Sequence, residues 1–249
     1  MSDIKVTIIT SIFNNKEFIK EAINSVNNQT YKNIEHIIVD GNSTDGSKEI
    51  IKENMNKKTY FISEYDTGIY DALNKGIEMS SGNIIGILHS DDIFKDSNVI
   101  TDVVNKFNEN NHDLIYGNLN YISKKENKSI IRKWKSNNFS LKKIKYGWMP
   151  PHPATFIKKE VFSEIGSYNK KFQISADYDL LTRILTKKKF SVGYLDRVLV
   201  LMRIGGKSNK GLRNVYQKMI EDYYIIRENK IGGIYTLFFK NLIKIKQLL

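Results

Sequence analysis

The first 110 residues alternate between short β-branched segments and amphipathic segments, and this alternation is the strongest constraint on the fold. Strands are predicted at residues 5–10, 35–40, 60–63 and 84–88, where β-branched and aromatic residues are frequent. Between these strands, apolar residues recur at helical spacing, for example at residues 18–26. Regular alternation with short connections is typical of a parallel sheet covered by helices on both faces. The sequence therefore predicts an α/β fold.

The pattern changes after residue 110. Further strands are predicted at residues 114–117, 121–131, 190–194 and 198–202, and further helices at residues 159–165, 177–185 and 212–228. No clear linker separates these segments from the first half. We therefore expect one domain over residues 1–208, with halves at residues 1–110 and 111–208, followed by a helical extension over residues 209–249.

Composition limits the classes of site and the compartment. The chain has no cysteine and four unclustered histidines, which excludes disulfides and thiolate metal sites and argues against zinc. No secretory signal opens the sequence and no run of about twenty apolar residues occurs, so we expect a cytoplasmic protein without a spanning segment. Lys and Arg number 39 against 27 Asp and Glu, and the net charge of +12 favours anionic partners such as phosphorylated substrates, lipid headgroups or nucleic acid.

Two adjacent carboxylates, Asp91 and Asp92, follow the predicted strand at residues 84–88. In an open α/β sheet, ligands bind beyond the carboxyl ends of the strands. Neighbouring anions at that position are costly unless a cation joins them, and a Mg2+ or Mn2+ ion bound to a diphosphate is the natural partner. A solvated turn that caps the next helix is the simpler explanation of an isolated Asp-Asp pair, so the rest of the sequence has to decide.

Five short motifs occur in the order seen in family 2 glycosyltransferases. They are Thr-Ile-Ile-Thr-Ser-Ile-Phe-Asn at residues 7–14, Val-Asp-Gly-Asn-Ser-Thr-Asp-Gly at 39–46, Asp-Thr-Gly-Ile-Tyr-Asp-Ala-Leu-Asn-Lys at 66–75, Ser-Asp-Asp at 90–92 and Ser-Ala-Asp-Tyr at 175–178. Over residues 5–208 the chain therefore resembles this family, and most of all the members that build bacterial exopolysaccharide, capsule or O-antigen repeat units, including colanic-acid-type transferases. The resemblance implies a GT-A fold with a mixed, mostly parallel sheet and C-terminal helices. It also implies an inverting, metal-dependent enzyme that takes its sugar from a nucleoside diphosphate.

The resemblance further implies a set of donor-site residues. The loop after the first strand and the acid that ends the second would hold the base and ribose, and the later motifs would line the rest of the donor pocket. The residues concerned are Thr10, Ser11, Phe13, Asp40, Asp66, Asn74, Lys75, Ser90 and Asp91, with Asp92 as the direct ligand of the Mg2+ or Mn2+ ion. Simpler explanations exist for several of them: core packing for Phe13, a turn or helix cap for Asp40 and Asp66, and a surface position for Lys75.

Asp177 matches the catalytic base of the family, with Asp179 as a reserve candidate. An inverting transfer needs one base, which takes the proton of the acceptor hydroxyl as that oxygen attacks the sugar. His152 stands among the chain's three prolines, at positions 150, 151 and 153, which predicts a rigid loop that presents its imidazole on the acceptor side. Lys207, in a Gly-Gly-Lys-Ser segment, is a candidate phosphate contact.

The implied reaction moves a single sugar to a hydroxyl of a glycan or lipid-linked glycan in bacterial surface polysaccharide synthesis, with a UDP-sugar favoured over a GDP-sugar. The final Arg-Trp motif of processive members is absent, which favours one transfer over polymerisation. A basic stretch at residues 124–145 holds nine Lys or Arg and one acid. Residues 231–249 can either contact an anionic membrane, at the cytoplasmic face of the inner membrane, or pack on the domain.

Two other functions compete with this one. A sugar nucleotidyltransferase would need a glycine-rich loop with Arg or Lys after the first strand, and residues 11–15 have neither feature. A basic nucleic-acid-binding protein agrees with the charge, but the sequence contains no recognised nucleic-acid motif. We therefore expect a glycosyltransferase that binds no nucleic acid.

Overall fold

The computed structural model describes residues 4–124, 128–205 and 211–246. Strands within those ranges are β1 (Val6–Ile12), β2 (Ile34–Asp40), β3 (Thr59–Ser63), β4 (Ile84–Ile87), β5 (Ile93–Phe94), β6 (Leu114–Ile122), β7 (Ile130–Trp134), β8 (Thr155–Lys158) and β9 (Val192–Arg203). The helices are α1 (Ile19–Asn27), α2 (Ser47–Asn54), α3 (Ile69–Met79), α4 (Val99–Asn110), α5 (Leu141–Lys145), α6 (Lys159–Ile165), α7 (Ala176–Thr186), α8 (Leu212–Glu228) and α9 (Ile234–Lys246). A 3-10 turn spans His152–Ala154.

These strands join in one sheet, in the order β3-β2-β1-β4-β8-β6-β9-β5, with β7 paired to β6. The strands β1 to β4 run parallel, which confirms the prediction from the alternation in the sequence. Beyond β4, β8 runs antiparallel to both of its neighbours, and β9 runs parallel to β6. The carboxyl ends of β1, β2 and β4 therefore open at the same edge of the sheet, where the loops that follow them meet.

Helices cover both faces of the sheet, as predicted. Successive side chains of a strand point to opposite faces, so Ile8 and Ile9 of β1 enter different cores. The core on the Ile9 side contains apolar side chains of α3, α7 and α8, among them Leu181 and Ile225. The core on the Ile8 side contains those of α4, among them Val103. One continuous sheet thus links the parallel first half to the mixed second half.

The two strands predicted within residues 190–202 are a single strand, β9. β9 advances from Tyr194 to Val198 while β6 advances only from Tyr116 to Asn118, so β9 bulges between these two pairs. Polar residues in the bulge interrupt the apolar pattern, which is why the sequence predicted a break there. The bulge lets β9 continue across the sheet to pair with β5.

The strand predicted at residues 121–131 is wrong, because its two ends belong to different strands. Residues 121 and 122 end β6, and residues 130 and 131 begin the antiparallel β7. The proline-rich segment at residues 150–154, predicted as a loop, is buried. It forms the 3-10 turn that leads directly into β8, which is inserted between β4 and β6.

The C-terminal helix α9 packs on the domain, which is one of the two alternatives left open by the sequence. The Thr236 hydroxyl donates to the carbonyl of Lys145 at 2.8 Å. Lys240 is 6% exposed, and its ammonium lies 2.7 Å from the Asp222 carboxylate of α8. The outer face of α9 still exposes aromatic side chains. Among the described residues, no helix has the length and apolar character that crossing a membrane requires.

Candidate functional site

The turn that follows β4 holds Asp91 and Asp92 in different environments. Asp92 is completely buried, and its amide donates to the His89 carbonyl at 3.0 Å. Its Oδ1 accepts the backbone N–H of Arg203 at 3.2 Å, whereas its Oδ2 is buried without a hydrogen-bond partner in the described structure. Burial, followed by the charge of Asp91, raises the pKa of Asp92 well above its usual range. Asp91 is only partly buried.

Arg203, the last residue of β9, stabilises this turn. This role of Arg203 was not predicted from the sequence. Its guanidinium is buried, donates from Nη1 to the Asp91 carbonyl at 2.6 Å, and lies 2.9 Å from a carboxylate oxygen of Glu21. The guanidinium carbon also lies 4.4 Å from the ring centroid of Phe18. A single arginine at the end of an apolar strand forms no recognisable pattern, because Asp92 lies 111 residues earlier in the chain.

The Asp91–Asp92 turn fits a hard divalent cation. A buried carboxylate oxygen without a donor, Asp92 Oδ2, and a second carboxylate beside it provide the oxygen ligands that Mg2+ and Mn2+ prefer. Within residues 4–124, 128–205 and 211–246, no group of three or more His, Asp or Glu side chains could hold a metal. The remaining ligands would therefore be phosphate and water oxygens, as is usual for Mg2+ at phosphates.

Hydrogen bonds join the loops that follow β1, β2 and β4. The Asn14 N–H donates to Ser43 Oγ at 2.8 Å, and the Thr44 N–H donates back to Asn14 Oδ1 at 2.9 Å. Asn15 Nδ2 donates to Ser90 Oγ at 2.8 Å, which links the first loop to the Asp91–Asp92 turn. The three predicted segments therefore meet in one site at the carboxyl edge of the parallel strands.

Asp40 and Asp66 are close to each other at this edge. Asp40 is buried, and its carboxylate accepts the Ser43 N–H at 3.0 Å and the Ser63 hydroxyl at 2.6 Å, so it stabilises the turn after β2. A Cβ at Gly41 would lie 2.6 Å from Asp66 Oδ2, so only glycine lets this carboxylate approach the backbone. Asp66 Oδ1 accepts a backbone N–H of the turn before α3 at 2.9 Å. Both acids have the structural roles considered above, and their contacts with a nucleotide stay predictions.

The residues at the end of β1 differ in what they offer a ligand. Thr10 is buried, and its hydroxyl is hydrogen-bonded to Nε2 of His36 at 2.9 Å. The hydroxyl of Ser11 is buried and has no hydrogen-bond partner in the part of the chain that the structure describes. Phe13 is 51% exposed, so core packing does not explain it and its ring is accessible for stacking. The ring of Phe13 is therefore accessible to a ligand, and the nucleotide contacts predicted for Thr10 and Ser11 stay predictions.

Asn74 and Lys75 of α3 have partners within the protein. Asn74 donates from Nδ2 to the Tyr168 carbonyl at 2.9 Å and accepts the Tyr168 N–H on Oδ1 at 2.9 Å. Lys75 lies 2.8 Å from the Glu64 carboxylate and donates to the Tyr65 carbonyl at 3.1 Å. Both side chains connect α3 to neighbouring loops. Their contacts with a nucleotide-sugar donor stay predictions.

Asp177 lies in the first turn of α7 and is partly buried. Its Oδ1 accepts the Tyr178 N–H at 2.7 Å and lies 3.4 Å from the Tyr70 hydroxyl. Burial lowers the pKa of His89, while the carboxylates of Asp91 and Asp177 both act in the opposite direction. The charges of two carboxylates from distant parts of the chain therefore both favour the protonated form of His89.

His152 is buried, so the predicted loop does not expose its imidazole, and its place on the acceptor side stays a prediction. The residue is 8% exposed, and its Nε2 lies 2.6 Å from the Tyr168 hydroxyl. Its ring lies 6.0 Å from that of His89, and Tyr168 stacks on Tyr70 at 5.6 Å between centroids. Burial lowers the pKa of His152 to about 4. His152, Tyr168 and Tyr70 form a buried wall behind Asp177.

The reserve candidate for the base does not enter this cluster. Asp179, the reserve base, is buried and lies 2.8 Å from Nε of Arg183. The same guanidinium donates to the carbonyls of Ile165 and Ser167, so the pair holds α7 against the end of α6. Lys207 lies outside the described residues.

Comparison with known proteins gives a matching family model and several relatives. The family model described as Glycosyl transferase family 2 matches residues 7–166. The chain is 29% identical over 234 residues to an uncharacterized glycosyltransferase of Methanocaldococcus jannaschii, which covers 89% of this chain and 78% of that protein. It is 26% identical over 208 residues to the PGL/p-HBAD biosynthesis glycosyltransferase of Mycobacterium bovis, with 82% and 78% covered.

Two solved structures share the fold. A fragment of S. aureus TarS in complex with UDP-GlcNAc gives a TM-score of 0.71 at 16% identity, over 90% of this chain and 65% of that fragment. The mannosyltransferase PcManGT from Pyrobaculum calidifontis, in complex with GDP-Man and Mn2+, gives a TM-score of 0.68 at 14% identity, over 98% and 69%. At these identities the likeness concerns the fold alone.

Proposed function

Because this chain belongs to glycosyl transferase family 2 and has the GT-A fold, we propose that it transfers one hexose-type sugar, with inversion, from a nucleoside-diphosphate sugar to a hydroxyl of an acceptor. The observation that supports this most is a series of contacts that leads from His89, beside the Asp91–Asp92 turn, to Asp177. The rings of His89 and His152 lie 6.0 Å apart, His152 Nε2 lies 2.6 Å from the Tyr168 hydroxyl, and Tyr70, which stacks on Tyr168, has its hydroxyl 3.4 Å from Asp177 Oδ1. One carboxylate then lies near the attacking hydroxyl while the Asp91–Asp92 turn faces the leaving diphosphate. A direct displacement needs both groups at once.

Asp177 is the base in this proposal. The acceptor oxygen bonds to the anomeric carbon as the bond from that carbon to the diphosphate oxygen breaks, and the hydroxyl proton passes to Asp177. The Tyr178 N–H fixes Oδ1, which leaves Oδ2 for the acceptor hydroxyl. The buried wall of His152, Tyr168 and Tyr70 shields the carboxylate from water on one side.

Asp92, with Asp91 beside it, would hold the Mg2+ or Mn2+ ion. Bound there, the ion would neutralise the charge that develops on the departing nucleoside diphosphate. Arg203 keeps the turn in place, because its backbone N–H bonds to Asp92 and its guanidinium to the Asp91 carbonyl. The protein thus prepares the turn for a cation through contacts that do not use Asp92 Oδ2.

The donor nucleotide would lie along the carboxyl ends of β1 and β2. The exposed ring of Phe13 can stack on a base, and the unpartnered hydroxyl of Ser11 can donate a hydrogen bond. Asp66 is available to accept a hydrogen bond from ribose. We favour a UDP-sugar as donor. Structures with this fold have been solved with UDP-GlcNAc and with GDP-Man, so both bases belong in the test.

The melting temperature of the protein with UDP, GDP and other nucleoside diphosphates, each with Mn2+ or with EDTA, tests this function. A ligand that binds only the folded state stabilises it by about 2.7 kcal/mol at a hundred times its Kd. We expect a rise in melting temperature with UDP and Mn2+ that EDTA abolishes. A rise with GDP alone would change the donor and keep the reaction class, and no rise with any nucleotide would contradict the proposal.

We also propose that the acceptor is a glycan carried on a lipid, as in bacterial surface polysaccharide synthesis, and that α5 and α9 dock on an anionic membrane. Tyr235 and Phe238 of α9 are 79% and 58% exposed. Beside them the rings of Tyr146 and Phe239 lie 5.7 Å apart. The adjoining α5 contains three lysines and no acid. Exposed aromatic rings flanked by lysines complement the surface of an anionic bilayer.

Replacing Tyr235 and Phe238 together with Ser should reduce co-sedimentation with phosphatidylglycerol vesicles by about tenfold or more, because burying each ring contributes about 1.5–3 kcal/mol. Tyr60→Ser is the matched control, since Tyr60 is 53% exposed and belongs to the edge strand β3 and not to α5 or α9. Its binding should equal that of the unchanged protein. Equal binding by the double variant would show that this face does not dock on the membrane.

A further inference from the structure

The segment that carries Asp177 is held by a carboxylate from the C-terminal extension. Three consecutive backbone N–H groups, of Gln173, Ile174 and Ser175, donate to Glu221 of α8 at 3.0, 2.9 and 2.9 Å. Glu221 is buried, at 7% exposure. The side chain of Gln217 also donates to Glu221, at 3.0 Å, so the carboxylate accepts hydrogen bonds on both oxygens.

Helix α7 lacks an N-terminal cap of its own. Its cap position is Ser175, whose side chain makes no capping hydrogen bond and whose hydroxyl is buried without a partner in the described structure. A negative charge is stabilising near the positive end of a helix dipole. Glu221 supplies that charge from another helix, and Asp177 follows only two residues after the last amide that it binds. The position of Asp177 therefore depends on α8.

The opposite side of the same segment is held by Tyr70. Its hydroxyl donates to the Ile174 carbonyl at 2.7 Å and lies 3.4 Å from Asp177 Oδ1. Glu221 accepts the N–H of Ile174, while Tyr70 donates to its carbonyl. Both polar backbone groups of Ile174 are therefore hydrogen-bonded to side chains of other elements. Tyr70 belongs to the buried wall of the site, and Glu221 lies outside it.

Helix α9 in turn holds α8 and α7 together. Lys240 lies 2.7 Å from Asp222, the residue after Glu221, and 3.1 Å from the ring centroid of Tyr178, the residue after Asp177. Lys240, Asp222 and Tyr178 are all buried. Through Lys240 the extension therefore contacts both Asp222, which follows Glu221, and Tyr178, which follows Asp177.

We propose that Glu221 is a positioning residue for Asp177, and that the C-terminal extension is thereby part of the catalytic apparatus. The inference rests on the proposed role of Asp177 as base. It goes beyond the family match, which ends at residue 166 and includes neither residue. A carboxylate is required because both of its oxygens accept N–H groups, and an amide would turn one acceptor into a donor facing a donor.

The test measures release of UDP from UDP-glucose, UDP-galactose and UDP-N-acetylglucosamine with Mn2+, where water replaces the acceptor hydroxyl. Glu221→Gln should lower the rate constant at saturating donor by about 10- to 100-fold, because a small misplacement of a catalytic group has an effect of that size. KM should change by less than about twofold, since the donor loops are untouched. Glu228→Gln, an exposed acid on the same helix paired with Lys171, is the matched control and should leave the rate unchanged.

A double-mutant cycle separates positioning from general destabilisation. In the Asp177→Asn background, Glu221→Gln should cause no further loss, because its effect passes through Asp177. An equal loss in both backgrounds, or no loss in either, would overturn the proposal. If Asp177→Asn alone left the rate unchanged, the base assignment would fail instead.

Amide hydrogen exchange decides the structural part without any substrate. The amides of Gln173, Ile174 and Ser175 should exchange at least about tenfold faster in Glu221→Gln than in the unchanged protein, because local opening then loses its carboxylate partner. Glu228→Gln should leave their exchange unchanged. Unaltered exchange in Glu221→Gln would show that α8 does not hold this segment.

Discussion

Replacing Asp177 with Asn is expected to lower kcat by about 10²- to 10⁴-fold while leaving nucleotide binding unchanged, because a positioned base contributes about that much. Asn has the same shape and can still accept the Tyr178 N–H on its oxygen. It cannot accept a proton from the acceptor at neutral pH. The measurement is UDP release at saturating donor, together with the Mn2+-dependent shift in melting temperature caused by UDP.

Asp179→Asn provides the matched control for this prediction. It removes the same charge two residues later on α7, where the carboxylate is paired with Arg183. A buried ion pair that loses one partner destabilises the fold. The melting temperature should therefore fall, while kcat of the folded protein should stay within about threefold of its original value. A larger loss of kcat in Asp179→Asn than in Asp177→Asn would show that the base has been assigned to the wrong residue.

Replacing Asp92 with Asn should weaken the binding of Mn2+ and raise the melting temperature of the metal-free protein. The affinity for Mn2+ in the presence of UDP should fall by more than about 100-fold, since even changes around metal ligands reduce affinity by about 10- to 100-fold. In EDTA the variant should melt about 2–4 °C higher, as expected for about 1 kcal/mol in a chain of this size. The physical reason is that Asp92 is fully buried with one oxygen unpartnered in the described structure and Asp91 beside it.

Asp91→Asn is the comparison variant for Asp92→Asn, and it separates the loss of Mn2+ binding from the change in melting temperature. Asp91 is only partly buried, so its replacement should change the melting temperature in EDTA by less than that of Asp92. Manganese binding can be followed directly by electron paramagnetic resonance of the free ion, with UDP present. A lower melting temperature of Asp92→Asn in EDTA, together with unchanged binding of Mn2+, would mean that Asp92 is an ordinary structural carboxylate.

The sequence could predict the parts of the site that depend on neighbours along the chain. Asp91 and Asp92 follow a buried strand, and Asp177 begins a helix, so each was visible in a local pattern. The same holds for the parallel strands β1 to β4, because each strand and the helix that follows it form a local unit. The family resemblance added the roles of these acids, which no local pattern gives.

Arg203 and Glu221 could not be predicted, because their partners are distant in the chain. Arg203 braces a turn 111 residues earlier, and Glu221 binds amides 46 to 48 residues earlier. His152 shows the converse case. Proline indicates local rigidity, whereas burial of this segment depends on the insertion of β8 between β4 and β6. The prolines gave no indication that this segment is buried.

The contact between Glu221 and the segment before α7 has a consequence for biosynthesis of the protein. Chains emerge from the ribosome with the N-terminal part first. The loops that would bind the donor precede residue 95, whereas Glu221 is made after almost the whole sheet. A nascent chain could therefore bind a nucleotide sugar before its base is held in place. Incomplete chains would then hydrolyse an activated sugar about 10- to 100-fold more slowly than the complete protein.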